Sequence, residues 1–188
     1  KWGVLFSKDR SELIQYPSSR IWPYYNVPDE TKVIDEYAFY ACGNLVNLYI
    51  PETVSDMEYR SVYQCPGVTL CVKLDSPADD YAGENDLTAW YIENYTLQGL
   101  EIYQLPEKTV FAMGEEDFSS LYVTAVYGGK RLQAENYTIS YDSKQSGVQT
   151  VTVSSEGKTA EFDILLYNDA SESLLSFDGI SELVDGAC

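Results

Sequence analysis

Residues 27–49 read VPDETKVIDEYAFYACGNLVNLY, and residues 50–72 read IPETVSDMEYRSVYQCPGVTLCV. The two stretches align without a gap at a shift of 23 residues, which places Ile34 over Met57, Tyr40 over Tyr63 and Leu45 over Val68. A repeat of this length with one short strand per unit is typical of a solenoid, in which each turn buries its apolar face against its neighbours. The repeat therefore predicts a short solenoid in the first half of the chain.

The strand of each turn should have one face toward the core and one toward solvent. In residues 45–50 the leucine and isoleucine side chains are predicted to face the core, so Asn47 and Tyr49 point outward. Tyrosine and asparagine combine rigid aromatic area with adaptable hydrogen bonding, which suits protein or glycan recognition. The alternative is a hydrated surface too small to bind strongly. The candidate ligand-binding residues on this face are Tyr24, Asn26, Asn47 and Tyr49, with Trp22 nearby.

The charge balance limits the chemistry of this 188-residue chain. It has 12 Lys and Arg against 30 Asp and Glu, a net charge of −18, and no histidine. A field this negative repels phosphate backbones and anionic membranes. Nucleic acid is therefore not an expected partner. Without histidine there is no Ser-His or Cys-His catalysis and no His-ligated zinc. No stretch approaches the roughly 20 apolar residues of a membrane span, so no membrane insertion is expected.

The four cysteines lack the paired spacings of zinc or redox sites, so no metal is expected. Cys42 and Cys65 lie one repeat apart, and stacked turns would bring them roughly 5 Å from each other, a separation that a disulfide allows. The alternative is a ladder of buried free thiols, which pack as small hydrophobic groups. The acidic residues 115–117 are better explained as a solvated loop than as cation ligands, because adjacent side chains rarely converge on one ion.

Residues 33–45 and 49–54 resemble the BspA-like leucine-rich repeat of bacterial surface proteins. Residues 3–17 are similar to the hairpin that interrupts such arrays, and residues 75–85 are similar to their capping helix. In that helix Ser76 is the predicted N-cap, followed by Pro77 at the first helical position. The resemblance implies the ladder of free thiols, and it implies adhesion to host proteins, other bacteria or matrix.

From Tyr95 onward the pattern changes to short stretches that mostly alternate apolar and polar residues. Such stretches, separated by turn residues such as Gly128 and Gly129, indicate an antiparallel β-sandwich. Several segments of this half resemble the bacterial Ig-like domains of cell-surface proteins: residues 105–109, 114–117, 127–130, 147–153 and 157–159. The predicted strands are residues 100–105, 121–127, 137–141, 148–153 and 160–165.

The predicted fold class is therefore mainly β: a short leucine-rich-repeat solenoid with a hairpin and a capping helix, followed by an Ig-like β-sandwich. The predicted domains are the repeat domain at residues 1–93 and the Ig-like domain at residues 94–168. Residues 169–188 carry five acids and no base, and they are predicted to form an acidic linker or tail.

The sequence contains no phosphate-binding loop and no nucleophile elbow, so the chain is not expected to be an enzyme or to need a cofactor. We expect a monomeric, extracellular fragment of a bacterial cell-surface protein that binds a protein or glycan through the strand face of the repeats. The alternative function is a structural spacer that presents other domains of a larger surface protein.

Overall fold

The computed structural model describes residues 3–168. Their contacts form two compact units, of which the first comprises residues 3–101 and 124–135 and the second residues 102–123 and 136–168. The predicted tail at residues 169–188, including Cys188, lies outside the described residues. The predicted domain limits of 1–93 and 94–168 follow the sequence pattern rather than these contacts, and they stay predictions.

The first unit contains a short β-solenoid over residues 12–91, with the predicted hairpin at its start. Its strands are β1 (Leu5–Phe6), β2 (Glu12–Gln15), β3 (Tyr24–Asn26), β4 (Val33–Ile34), β5 (Phe39–Tyr40), β6 (Asn47–Tyr49), β7 (Asp56–Met57), β8 (Val62–Tyr63), β9 (Thr69–Val72) and β10 (Thr88–Tyr91). Parallel pairing joins strands of successive turns into separate ladders, in the orders β2-β4-β7, β3-β6-β9-β10 and β5-β8, and β1 pairs with β2 in antiparallel sense.

The pairing confirms the repeat register along most of its length. Ile34 pairs with Met57 and Tyr40 with Tyr63, each at a shift of 23 residues. At the third strand Asn47 pairs with Thr69, a shift of 22 residues, so the register shortens by one residue there. Because the strands of successive turns belong to separate ladders, each turn carries more than the one strand that the sequence pattern predicted.

The core of the solenoid is made by the inward side chains of these ladders. Leu45, Leu48 and Ile50, as predicted, are at most 2% exposed. Inside the turns the rings of Tyr16 and Tyr25 lie 4.9 Å apart, and Phe39 lies 5.2 Å from Tyr16. These aromatic contacts are stabilising beyond the area that they bury.

The capping helix α1 (Pro77–Glu84) begins where the sequence predicts, because the Ser76 side chain accepts a hydrogen bond from the Asp79 backbone N–H at 3.3 Å. Acidic residues in its first turn also suit the helix dipole. At the end of the helix Asn85 has φ −111°, and the residue in the left-handed conformation is Asp86, with φ +53°. Asn85 instead ends the helix by donating its side-chain and backbone N–H groups to the Tyr81 carbonyl.

The rest of the described chain forms two further sheets, and a 3₁₀ turn at Ile92–Asn94 precedes them. Their strands are β11 (Leu97–Gln104), β12 (Val110–Ala112), β13 (Tyr122–Tyr127), β14 (Lys130–Gln133), β15 (Thr138–Ser140), β16 (Gly147–Ser155) and β17 (Lys158–Tyr167). The strand orders are β11-β13-β14 in one sheet and β12-β17-β16-β15 in the other. The predicted antiparallel sandwich is wrong for one strand, because β12 pairs with β17 in parallel.

In the second unit, the long hairpin of β16 and β17 buries alternate side chains such as Val151 and Ile164. The ring of Phe118 lies 5.8 Å from Phe111 and 6.0 Å from Phe162, edge to face in both pairs. Aliphatic side chains and aromatic rings together form the core of this unit.

Candidate ligand-binding site

The structure brings four of the predicted site residues together. Tyr24 and Asn26 lie on β3, Asn47 and Tyr49 lie on β6, and the ladder pairs Tyr24 with Asn47 and Asn26 with Tyr49. The side chains between them, Tyr25 and Leu48, point into the core. The predicted alternation of faces is therefore confirmed, and the strand face has the predicted members. Trp22 precedes β3, with the Arg20 guanidinium 4.3 Å from its ring centre.

The expectation that this strand face is exposed is wrong for its two asparagines. Asn47 is 2% exposed and Asn26 is 9% exposed. The Asn47 side-chain amide donates to the Arg131 carbonyl at 2.7 Å, and that of Asn26 donates to the Gln133 carbonyl at 2.9 Å. Both carbonyls belong to β14, which lies across β3 and β6 within the first unit. The two amides are thus already occupied by backbone acceptors.

Further contacts hold β14 in place. Lys130 donates to the Thr69 hydroxyl at 3.3 Å, and Arg131 forms a two-pronged ion pair with Glu101 at 2.7 and 3.0 Å. Tyr49 is half-buried, and burial raises the pKa of its hydroxyl. A ligand could reach the asparagines only if β14 left this face. The binding role of this set stays a prediction.

A different outward face of the solenoid remains open. On β5 and β8, Phe39 and Val62 point inward and are buried, so the next residues, Tyr40 and Tyr63, point outward. Because β5 and β8 are neighbours in register, the two rings stack at 6.2 Å with an interplanar angle of 24°. This tyrosine ladder follows directly from the 23-residue repeat.

Further aromatic groups enlarge the ladder into a cluster. Tyr37 stands edge-on to Tyr40 at 5.9 Å and to Tyr63 at 6.0 Å, and Tyr59 lies 6.5 Å from Tyr37. The Arg60 guanidinium lies 4.8 Å from the ring centre of Tyr59 and 4.6 Å from that of Tyr63, within cation–π range. Arg60 also donates to the Tyr37 hydroxyl at 3.5 Å. The guanidinium thus ties the repeats together across the cluster.

Three of these rings and one amide line an open groove of about 430 Å³, which we call the tyrosine groove: Gln15, Tyr37, Tyr40 and Tyr63. Its volume is in the range of about 300–1,000 Å³ that is usual for small-ligand pockets. The Gln15 amide nitrogen donates to the carbonyls of Tyr16 and Ala38, both at 3.2 Å. These bonds orient the amide and leave its oxygen as an acceptor.

Sequence reasoning did not single out this groove, although the signal was present. The repeat aligns Tyr40 with Tyr63. Each tyrosine directly follows an apolar residue that faces the core, Phe39 or Val62, which predicts that both rings face outward. What the repeat does not reveal is the contribution of Gln15, which comes from the hairpin strand β2.

The second unit has a depression of about 360 Å³ with an acidic lining that includes Glu107, Glu115 and Asp117. Among residues 3–168, no group of three or more His, Cys, Asp or Glu side chains is arranged to hold a metal ion. Within the same range, no helix is long and apolar enough to cross a membrane.

The cysteines of the solenoid are buried free thiols. The Cys65 thiol donates to the Phe39 carbonyl at 3.0 Å, and that of Cys42 donates to the Tyr40 carbonyl at 3.6 Å. Burial raises the pKa of the Cys71 thiol to about 12. This arrangement is the thiol ladder rather than the disulfide at Cys42 and Cys65.

Comparisons with known proteins identify part of the chain. Residues 104–165, about one third of the chain, match the family model of the bacterial Ig-like domain, group 3. They are a bacterial Ig-like domain. The type of the solenoid, predicted as a leucine-rich repeat, stays a prediction.

Two further proteins are similar to this chain. Pectate lyase L from Thermoclostridium stercorarium is 36% identical over 80 residues, which make up 40% of this chain and 6% of the lyase. A chain described as "Solution structure of a putative surface protein" is 28% identical, and the match covers 41% of this chain and 93% of that chain with a TM-score of 0.26. A TM-score this low carries no argument about a shared arrangement. The match to the lyase spans 6% of the length of that enzyme.

Proposed function

We propose that this chain is a non-catalytic, extracellular segment of a bacterial cell-surface protein, and that its solenoid binds a protein or glycan ligand through the tyrosine groove. The observation that carries the proposal is the open cluster of tyrosines around an oriented amide. Amphipathic rings held rigidly by their neighbours supply contact area at low entropic cost. The Ig-like match and the predicted BspA-like repeat support placement at the cell surface.

The composition of the groove favours binding over catalysis. Its lining residues are three tyrosines and a glutamine, with no carboxylate or thiol to act as acid, base or nucleophile near neutral pH. The likeness to a pectate lyase covers 6% of that enzyme, so it supports a shared module rather than a shared reaction. We expect no cofactor and a monomeric chain.

One observation favours the spacer as a second candidate function. The two asparagines of the strand face donate to backbone carbonyls of β14, which uses that face inside the molecule. A segment whose repeat face is occupied internally suits a rigid connecting role. In that case recognition belongs to other parts of the parent protein.

A binding screen separates the two functions. The purified chain is tested against extracellular-matrix proteins and a glycan array, alongside a Tyr40→Ala/Tyr63→Ala variant and a Tyr59→Ala control. Tyr59 is 60% exposed in the same cluster but does not line the groove. Binding that disappears in the double variant and survives in the control supports the proposal. Absence of binding, or binding that the double variant retains, refutes it.

A further inference from the structure

We infer that the ligand of the tyrosine groove is an uncharged saccharide, with one sugar ring packed against Tyr40, the more exposed ring of the ladder that it forms with Tyr63. This inference rests on the proposed function of the same groove and adds the chemical class of the ligand. Shape, hydrogen-bonding pattern and charge each contribute to it.

The first argument is the shape of the aromatic surface. Tyr40 is 44% exposed and Tyr63 is half-buried, and their rings are nearly parallel at an angle of 24°. The two rings stack on each other, and the Arg60 guanidinium lies over Tyr63, so Tyr40 is the ring of the pair that remains for a ligand. One exposed aromatic ring of this kind matches the C–H face of a pyranose ring, whereas a compact cationic head group is best held between ring faces that converge.

The second argument is the mixture of donors and acceptors around the Tyr40 ring. The Gln15 amide nitrogen is occupied by two backbone carbonyls, so its oxygen is left to accept from a ligand. Tyrosine hydroxyls can both donate and accept, and the Tyr37 hydroxyl, which accepts from Arg60, retains its own proton for donation. Sugar hydroxyls likewise both donate and accept. The groove and a polyhydroxylated ring are therefore complementary.

The third argument is charge. The four lining residues are uncharged, so a neutral ligand leaves no buried charge without a partner. The net charge of −18 disfavours an acidic polysaccharide, whose repeated carboxylates would meet the same negative field. A cationic ligand would meet the Arg60 guanidinium, which lies 4.6 Å from the Tyr63 ring centre. A neutral saccharide avoids both penalties.

The test is calorimetric titration of the full chain with oligosaccharides of stated composition. The neutral probes are cellohexaose, laminarihexaose, maltohexaose, mannohexaose and xylohexaose, and the acidic probe is hexagalacturonate. We expect at least one neutral probe to bind with a Kd of about 1 mM or tighter, which is usual for a small open site. We expect hexagalacturonate to bind more weakly than that probe.

Variants locate the binding. Tyr40→Ala should weaken binding of the neutral probe roughly tenfold, because it removes the ring against which the sugar packs. Tyr63→Ala should weaken it by about threefold or more, because it removes the ring that holds Tyr40 in place. Tyr40→Phe keeps the ring and should retain most of the affinity, and Tyr59→Ala should change it by less than about twofold. Circular dichroism and thermal unfolding of each variant check that the fold is retained.

The outcomes separate this inference from the proposed function. If no neutral probe binds while a matrix protein binds through the groove in the screen above, the saccharide is wrong and the proposed function stands. If neither binds, both are wrong. Preference for hexagalacturonate, or a neutral probe whose affinity survives both alanine variants, also overturns the inference.

Discussion

Replacement of Asn47 by alanine tests whether β14 covers the strand face of the solenoid. Asn47 is 2% exposed, and its amide donates to the Arg131 carbonyl at 2.7 Å. Loss of one partner of a fully buried hydrogen bond costs about 1–3 kcal/mol, and this bond is part-buried, so the lower part of that range applies. The Asn47 side-chain oxygen has no hydrogen-bond partner among the described residues, so its removal returns part of this cost. We therefore expect Asn47→Ala to lower the free energy of unfolding by about 1–2 kcal/mol.

The matched control is Asn44→Ala. Asn44 also donates its side-chain amide to a backbone carbonyl, that of Arg20 at 3.1 Å, but this hydrogen bond is exposed. Water can replace an exposed partner, so we expect a change within about 0.5 kcal/mol. The two variants thus remove the same chemical group from a covered and an uncovered position.

The assay is urea unfolding followed by tryptophan fluorescence. All three tryptophans precede residue 102, where the second unit begins, so the signal does not come from that unit. A stability change at constant slope against urea reports on the native contact. If Asn47→Ala is no more destabilising than Asn44→Ala, β14 does not protect this face, and Asn47 is available to a ligand as the sequence pattern first predicted.

Three further predictions concern other contacts. Gly128→Ala should lower the thermal unfolding temperature clearly more than Gly129→Ala. Both glycines have positive φ, but only at position 128 would a Cβ overlap a neighbouring ring, that of Tyr95. Glu101→Gln should lower the free energy of unfolding at about pH 7 but not at about pH 2. The hydrogen bond from Arg131 lowers the pKa of the Glu101 carboxyl, so its stabilisation is present above the ordinary pKa of 4.5 and is lost as the pH falls through the lowered pKa. Equal urea stability of variant and parent at pH 7 would contradict this. In a Cys188→Ser variant, Ellman's reagent should label no thiol in the native chain and three after unfolding in guanidinium, since the remaining cysteines are buried; rapid native labelling would show that the thiol ladder is accessible.

The sequence pattern predicted the elements whose partners are close along the chain. The repeat register at Ile34 and Met57, the start of the capping helix at Ser76 and the inward direction of Leu48 are all correct. Each of these features depends on local periodicity or on residues within one turn of the solenoid. The sequence also predicted the Ig-like domain, which the family match to residues 104–165 supports.

The errors concern partners that are far apart in sequence. Asn47 points away from the core as predicted, but its partner is Arg131, 84 residues later. The parallel pairing of β12 with β17 likewise joins segments about 55 residues apart, as in Val110 with Leu165. An alternating pattern predicts which side of a strand is apolar, but it carries no information about which distant strand lies on the polar side.

The candidate site shows the same division. The amino-acid sequence by itself determined that a tyrosine ladder would form, because a 23-residue period places Tyr40 beside Tyr63 in neighbouring turns. It also excluded histidine chemistry from the outset. Only the tertiary structure decided which outward face stays open. The contacts of β14 close the face that carries Asn26 and Asn47 and leave the tyrosine groove exposed, because burial depends on non-local packing that a repeat period does not encode.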